Sequence, residues 1–151
     1  MNPVIRALRR RAKGEKGFTL TEIMVVIVVA AILAAIAIPL WRKQRAGTYN
    51  SQTEQAVSEA VIAVTDYAQA HDDSAAGLSG TTCDYPLGGT APTCKIANKT
   101  VDVSEGVHLT LSVDAAGAWK ITATNDHASG NSAVKHSYTY SSTSKSYEWT
   151  A

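Results

Sequence analysis

A single carboxylate, Glu22, stands at the edge of an apolar run that extends without a charge from Ile23 to Trp41, IMVVIVVAAILAAIAIPLW. As a helix rising ~1.5 Å per residue the run measures roughly 28 Å, close to the hydrocarbon thickness of a bilayer. Its apolar side chains, Val25 to Val29 among them, point all round the helix. Such a helix faces lipid or other helices on every side. A carboxylate in that setting is costly unless it has a partner.

Charge is divided unevenly around this run. Of the 14 Lys and Arg, six precede Phe18 (Arg6, Arg9, Arg10, Arg11, Lys13 and Lys16), opposed there only by Glu15. From Phe18 onward eight basic residues face twelve acidic ones, a net charge of −4. The body therefore has no basic stripe with which to neutralise phosphates, and direct nucleic-acid binding is not expected of it. The leader is instead a topogenic signal: it outweighs Arg42, Lys43 and Arg45 on the far side, which favours a cytoplasmic N-terminus. At 151 residues the chain has room for one small domain beyond the anchor.

A secretory signal has a shorter apolar core and a small-residue cleavage site close behind it. Here IPLWRKQR follows. On the residues alone the run reads as a single-pass anchor that is retained. The two cysteines, Cys83 and Cys94, lie in CDYPLGGTAPTC. In an exported chain a disulfide closing this short loop is the default, stabilising by roughly 2–3 kcal/mol, with two unpaired thiols as the alternative.

The segment KGFTLTEIMVVIVVAAILAAIAIP resembles the class III signal of type IV pilins and of their relatives, the pseudopilins of type II secretion and the competence pilins. The resemblance covers roughly Lys16 to Arg45. It implies that a prepilin peptidase cuts after Gly17 on the cytoplasmic side and methylates the new N-terminus at Phe18. It further implies that Glu22 is the acidic residue at the fifth mature position, and that Pro39 is the family's helix proline. The amine of an incoming Phe18 would then meet the Glu22 carboxylate of a subunit already in the fibre. Truncating one partner of such a buried pair typically costs ~3–5 kcal/mol. Ala31 stands where many members have glycine, and alanine favours helix by about 1 kcal/mol. Pro39 still leaves the Ala35 carbonyl without its helical donor, so a kink or local opening is expected between Ala35 and Pro39.

Beyond Arg45, Val57, Val61, Val64 and Ala68, with Ala60 and Tyr67, recur at steps of three and four, while Glu54, Ser58, Glu59 and Asp66 face elsewhere. This predicts an amphipathic helix over about 48–70, continuous with the anchor or meeting it at Gly47. Residues 71–100 read as a connecting loop stapled by the cysteines. The C-terminal part alternates with period two. VHLTLSV puts Val107, Leu109, Leu111 and Val113 on one face, and AWKITAT puts Trp119, Ile121 and Ala123 on one face, with DAAG as the hairpin turn between them. VKHSYTY and KSYEW complete about four antiparallel strands over 105–150. Val134, His136, Tyr138 and Tyr140 share a face of the first, and Tyr147 and Trp149 a face of the second.

The expected architecture is α+β: a long N-terminal helix whose second half packs on a C-terminal antiparallel sheet. Three segments follow, a removed leader 1–17, an apolar assembly helix 18–45 and a head 46–151. The four histidines have no metal-ligand spacing, and no phosphate-cradling or nucleophile motif is present, so neither enzyme activity, metal nor cofactor is expected. The resemblance implies a structural subunit of a surface fibre for adhesion, motility or DNA uptake, stored as a single-pass inner-membrane protein and then polymerised outside the cell. Its partners would be further copies of itself, the prepilin peptidase, and an assembly platform with motor ATPases. A secretion pseudopilin and a membrane-tethered binding domain are the alternatives.

Overall fold

The structure, a computed structural model, describes residues 18–78, 80–129 and 131–150. The leader, with Gly17 and the basic cluster from Arg6 to Lys16, lies outside the described residues. The chain divides into two units between Trp41 and Arg42.

In the first unit every described residue from Phe18 to Trp41 is exposed. All but its first two residues belong to helix α1 (Leu20–Gln69), whose most apolar stretch has a mean hydropathy of 3.1 with none of it buried. The helix continues through Pro39 and through Gly47. The local opening expected between Ala35 and Pro39 is therefore absent in the single chain. One missing donor is outweighed by the strong helix formers around it, Ala34, Ala35, Ala37 and Leu40.

In the second unit the rest of α1 lies against a sheet. Its buried residues are Ala46, Thr53, Ala56, Val57, Ala60, Ala63, Val64 and Ala68, a stripe dominated by alanine that lets the strands approach closely. The strands are β1 (Thr82–Tyr85), β2 (Lys95–Ile96), β3 (Lys99–Thr100), β4 (Val107–Val113), β5 (Trp119–Asn125), β6 (Ser137–Ser141) and β7 (Ser146–Thr150). Five of them form one antiparallel sheet in the order β1-β4-β5-β6-β7, and β2 and β3 form a separate hairpin. The four expected strands are thus joined by a fifth, β1, drawn from the segment read as loop.

Register places the apolar residues on one face. Leu109 and Leu111 of β4 pair with Ala123 and Ile121 of β5, which pair in turn with Tyr138 and Tyr140 of β6. Leu109, Leu111, Ile121 and Ala123 join Val57 and Val64 of α1 in the core. Farther along, Tyr138 and Tyr140 pair with Trp149 and Tyr147 of β7, giving a set of ring contacts at the sheet's C-terminal edge with centroids 4.6–5.7 Å apart. Strand β6 starts only at Ser137. The residues before it are held as a turn, since Asn50 of α1 accepts from the Lys135 amide at 2.9 Å and donates to the Ala133 carbonyl at 3.4 Å. Val134 is accordingly buried from a turn and not from a strand face.

The DAAG segment turns β4 into β5. The Asp114 carboxylate accepts from the amides of Ala116 and Ala118, both at 2.9 Å, and Gly117 takes the positive φ of 85° that the turn requires.

Candidate assembly site

Helix α1 begins with Thr-Leu-Thr-Glu, and the geometry is a capping box. Thr19 Oγ1 accepts from the Glu22 amide at 3.2 Å. Reciprocally, Glu22 Oε2 accepts from the Thr19 amide at 2.9 Å and from Thr19 Oγ1 at 2.8 Å. The first helical bond, Ile23 N to the Thr19 carbonyl, closes at 3.3 Å. The carboxylate is therefore folded back toward the helix start, one residue from Phe18. Its second oxygen, Oε1, has no bonding partner among the described residues. Glu22 lines a surface recess with Phe18, Thr19, Thr21, Ile23, Val25 and Val26, and the carboxylate is exposed there.

The structure leaves Phe18, four residues before that carboxylate, 83% exposed. Gly17 and the Gly17–Phe18 bond lie outside the described residues. Pro39 sits within α1, remote from Glu22 in sequence. The S/T-x-x-E pattern stands in the sequence just before the apolar run, and the structure makes Thr19 the N-cap.

Cys83 on β1 is bonded to Cys94. The disulfide ties the edge strand to the β2–β3 hairpin, and both cysteines are buried with Ile96 and Val101. The hairpin is held to α1 by an ion pair between Lys99 and Asp66, and by the Asp102 amide donating to Glu59 at 2.9 Å.

Two polar constellations were not anticipated. Asn125, buried at the end of β5, donates to the Tyr49 carbonyl at 3.2 Å and to Thr53 Oγ1 at 3.1 Å, and its carbonyl accepts from the His127 amide at 3.0 Å. It joins the sheet to the helix through a satisfied buried network. His127 stacks on Tyr49 with centroids 3.7 Å apart. The second constellation lies on the opposite face of the sheet, where His108 Nδ1 is 3.2 Å from Asp84 Oδ1 of β1 and Nε2 is 2.9 Å from Asp126 Oδ2 after β5. Carboxylates only accept, and neutral imidazole has a single N–H, so both bonds require the imidazolium. The bond to Asp126 is the main cause holding this imidazole above its usual range; burial opposes it and Asp84 adds to it. Among the described residues no group of three or more His, Cys, Asp or Glu is placed to hold a metal ion.

The family model for the prokaryotic N-terminal methylation motif matches residues 12–38. Two curated proteins named fimbrial protein, both from Pseudomonas aeruginosa, are 51% identical to the chain over 47 residues. The match covers 31% of this chain and 29% of each relative's length. No solved structure matches the chain. The family model's match falls on the segment that holds Glu22 and most of the apolar run. The chain thus joins a motif shared with fimbrial proteins to a long helix and an antiparallel sheet, and its likeness to type IV pilins is carried by that motif.

Proposed function

We propose that the chain is a prepilin, and that its mature form is a structural subunit polymerised into a type IV pilus. Leader 1–17 is removed after Gly17, the new amine at Phe18 is methylated, and segment 18–45 holds the subunit in the membrane until it is extracted into the fibre. Prepilin peptidase, an assembly platform and motor ATPases are the partners this requires, and no catalytic role is assigned to the chain itself. In the fibre, Pro39 is the position for a kink.

The observation that carries the reading is the Glu22 carboxylate. It is held by Thr19 through one oxygen, has no partner on the other among the described residues, and stands at the start of the exposed apolar run that ends at Trp41. A neighbour's Phe18 amine would complete its coordination and be neutralised by it, and burying the pair in a helical bundle demands that both charges be present. Helix packing between copies would then replace lipid contact along Ile23 to Trp41. Two variants test this. Glu22→Ala is expected to leave the head folded and to abolish fibres sheared from cells, and normal fibres from it would overturn the charge-pair mechanism. Gly17→Ala is expected to block the shift to the shorter form on a gel, and normal maturation would overturn the leader assignment.

A further inference from the structure

Three cations follow the proposed assembly segment's apolar run. Arg42, Lys43 and Arg45 fall within four residues, directly after Trp41 ends the apolar run. All three are exposed, and Ala46, at 2%, is the first residue of α1 that the head buries. The cations thus occupy the single helical turn between the apolar run and the packed part of the helix. At about 100° per residue they form a band over roughly 160° of the circumference.

We infer that this band is a collar for anionic phospholipid headgroups in the leaflet next to the head. The inference rests on the reading of Ile23–Trp41 as membrane-spanning. When that run fills the hydrocarbon, the next turn lies at headgroup level, where an indole and cations are the usual anchors. The angular spread favours lipid over a protein partner. A second copy of the chain lies along one side of the helix and meets one or two of these side chains, whereas a headgroup layer surrounds the helix and meets all of them. The sign selects anionic lipid, because a zwitterionic headgroup offers no net charge to three cations. Arg45 also lies over the Tyr49 ring, with its guanidinium carbon 5.8 Å from the centroid. The collar holds the stored subunit in an anionic leaflet and must be released when the subunit is extracted.

Trp41 reports on its own surroundings and, by the length of the run, lies across the bilayer from the basic leader. The full chain carrying Trp119→Phe and Trp149→Phe would be reconstituted, one chain per disc, in phosphatidylcholine nanodiscs with a minor fraction of phosphatidylglycerol. Bromine is placed on the acyl chains of one lipid or the other, at equal mole fraction. Bromine on phosphatidylglycerol is expected to quench Trp41 about twofold or more beyond the random-mixing level. Arg42→Gln with Lys43→Gln should return it to that level, and Arg9→Gln, Arg10→Gln and Arg11→Gln in the leader should leave it unchanged. Should the double Phe variant fail to fold, the same quenching is read as the difference between the unaltered chain and Trp41→Phe. Equal quenching by both lipids overturns the collar and leaves the membrane reading standing. No quenching by either lipid overturns the membrane reading and the collar with it. Loss of the phosphatidylglycerol excess when two chains share a disc assigns the cations to a second copy, which also overturns the collar.

Discussion

The two halves of α1 are one continuous helix with opposite fates. From Leu20 to Trp41 none of its side chains is buried, although nearly all are apolar; from Ala46 to Ala68 a stripe of small apolar residues is covered by the sheet. The head half alternates polar and apolar faces and finds its partners within the chain. The first half is apolar all round, and none of the described residues covers it. On the proposed reading its partners come from outside, lipid first and then copies of itself, so that an assembly surface and a conventional hydrophobic core would share one element. The teaching is general: a helix's hydrophobic periodicity, more than its hydrophobicity, tells whether its partner is internal.

The comparison is broken most sharply by matched truncations. Leu109→Ala, at a fully buried site, should destabilise the head by about 2–5 kcal/mol in a urea melt. Ile27→Ala, on the exposed half, should leave that melt unchanged while weakening fibre yield. Equal effects on the melt would mean that the apolar half does contribute to the head's own stability. Next in size, Cys83→Ser with Cys94→Ser should cost roughly 2–3 kcal/mol, with early loss of amide protection in β1, since the bond closes a short loop at the sheet edge. Unchanged protection at Thr82–Tyr85 would show that β-pairing alone holds the strand.

The smallest effect is pH-dependent and confined to the head. Because the folded state raises the His108 pKa, the imidazolium's contribution is fully present below the unfolded value of about 6.5 and is lost as pH rises through the raised folded value. Relative to His108→Gln, the native head should therefore lose stability on going from mildly acidic to alkaline buffer. An NMR titration of His108 should place its midpoint above that of an exposed histidine; a midpoint at or below it would contradict the double ion pair with Asp84 and Asp126.

Much of this was legible in the sequence where periodicity had room to repeat. Strand β4 coincides with VHLTLSV, and β5 was marked by Trp119, Ile121 and Ala123. Strand β1 was not, because of its four residues only Cys83 is buried, and the flanking Gly, Ser, Thr and Pro read as loop. Its strand character comes from pairing with β4, a tertiary effect no local pattern carries. Asn125 and His108 escaped for a related reason: a polar residue at a strand end looks solvated until the fold brings Tyr49, Thr53, Asp84 and Asp126 to it. At the candidate assembly site the residue types were readable, and the N-capping by Thr19 was written in TLTE. What the line of residues could not convey was that one oxygen of Glu22 is committed to Thr19 and that the other has no partner among the described residues.

The central claim is that segment 18–45 is uncovered by leader removal and then buried in a fibre, and intact mass of native material sheared from cells tests it most directly. The account predicts a chain that begins at methylated Phe18 and is two hydrogens lighter than the reduced sequence because of the Cys83–Cys94 bond. A chain that begins near Met1 and is recovered only in the membrane fraction would contradict it, and would make the protein a membrane-tethered domain.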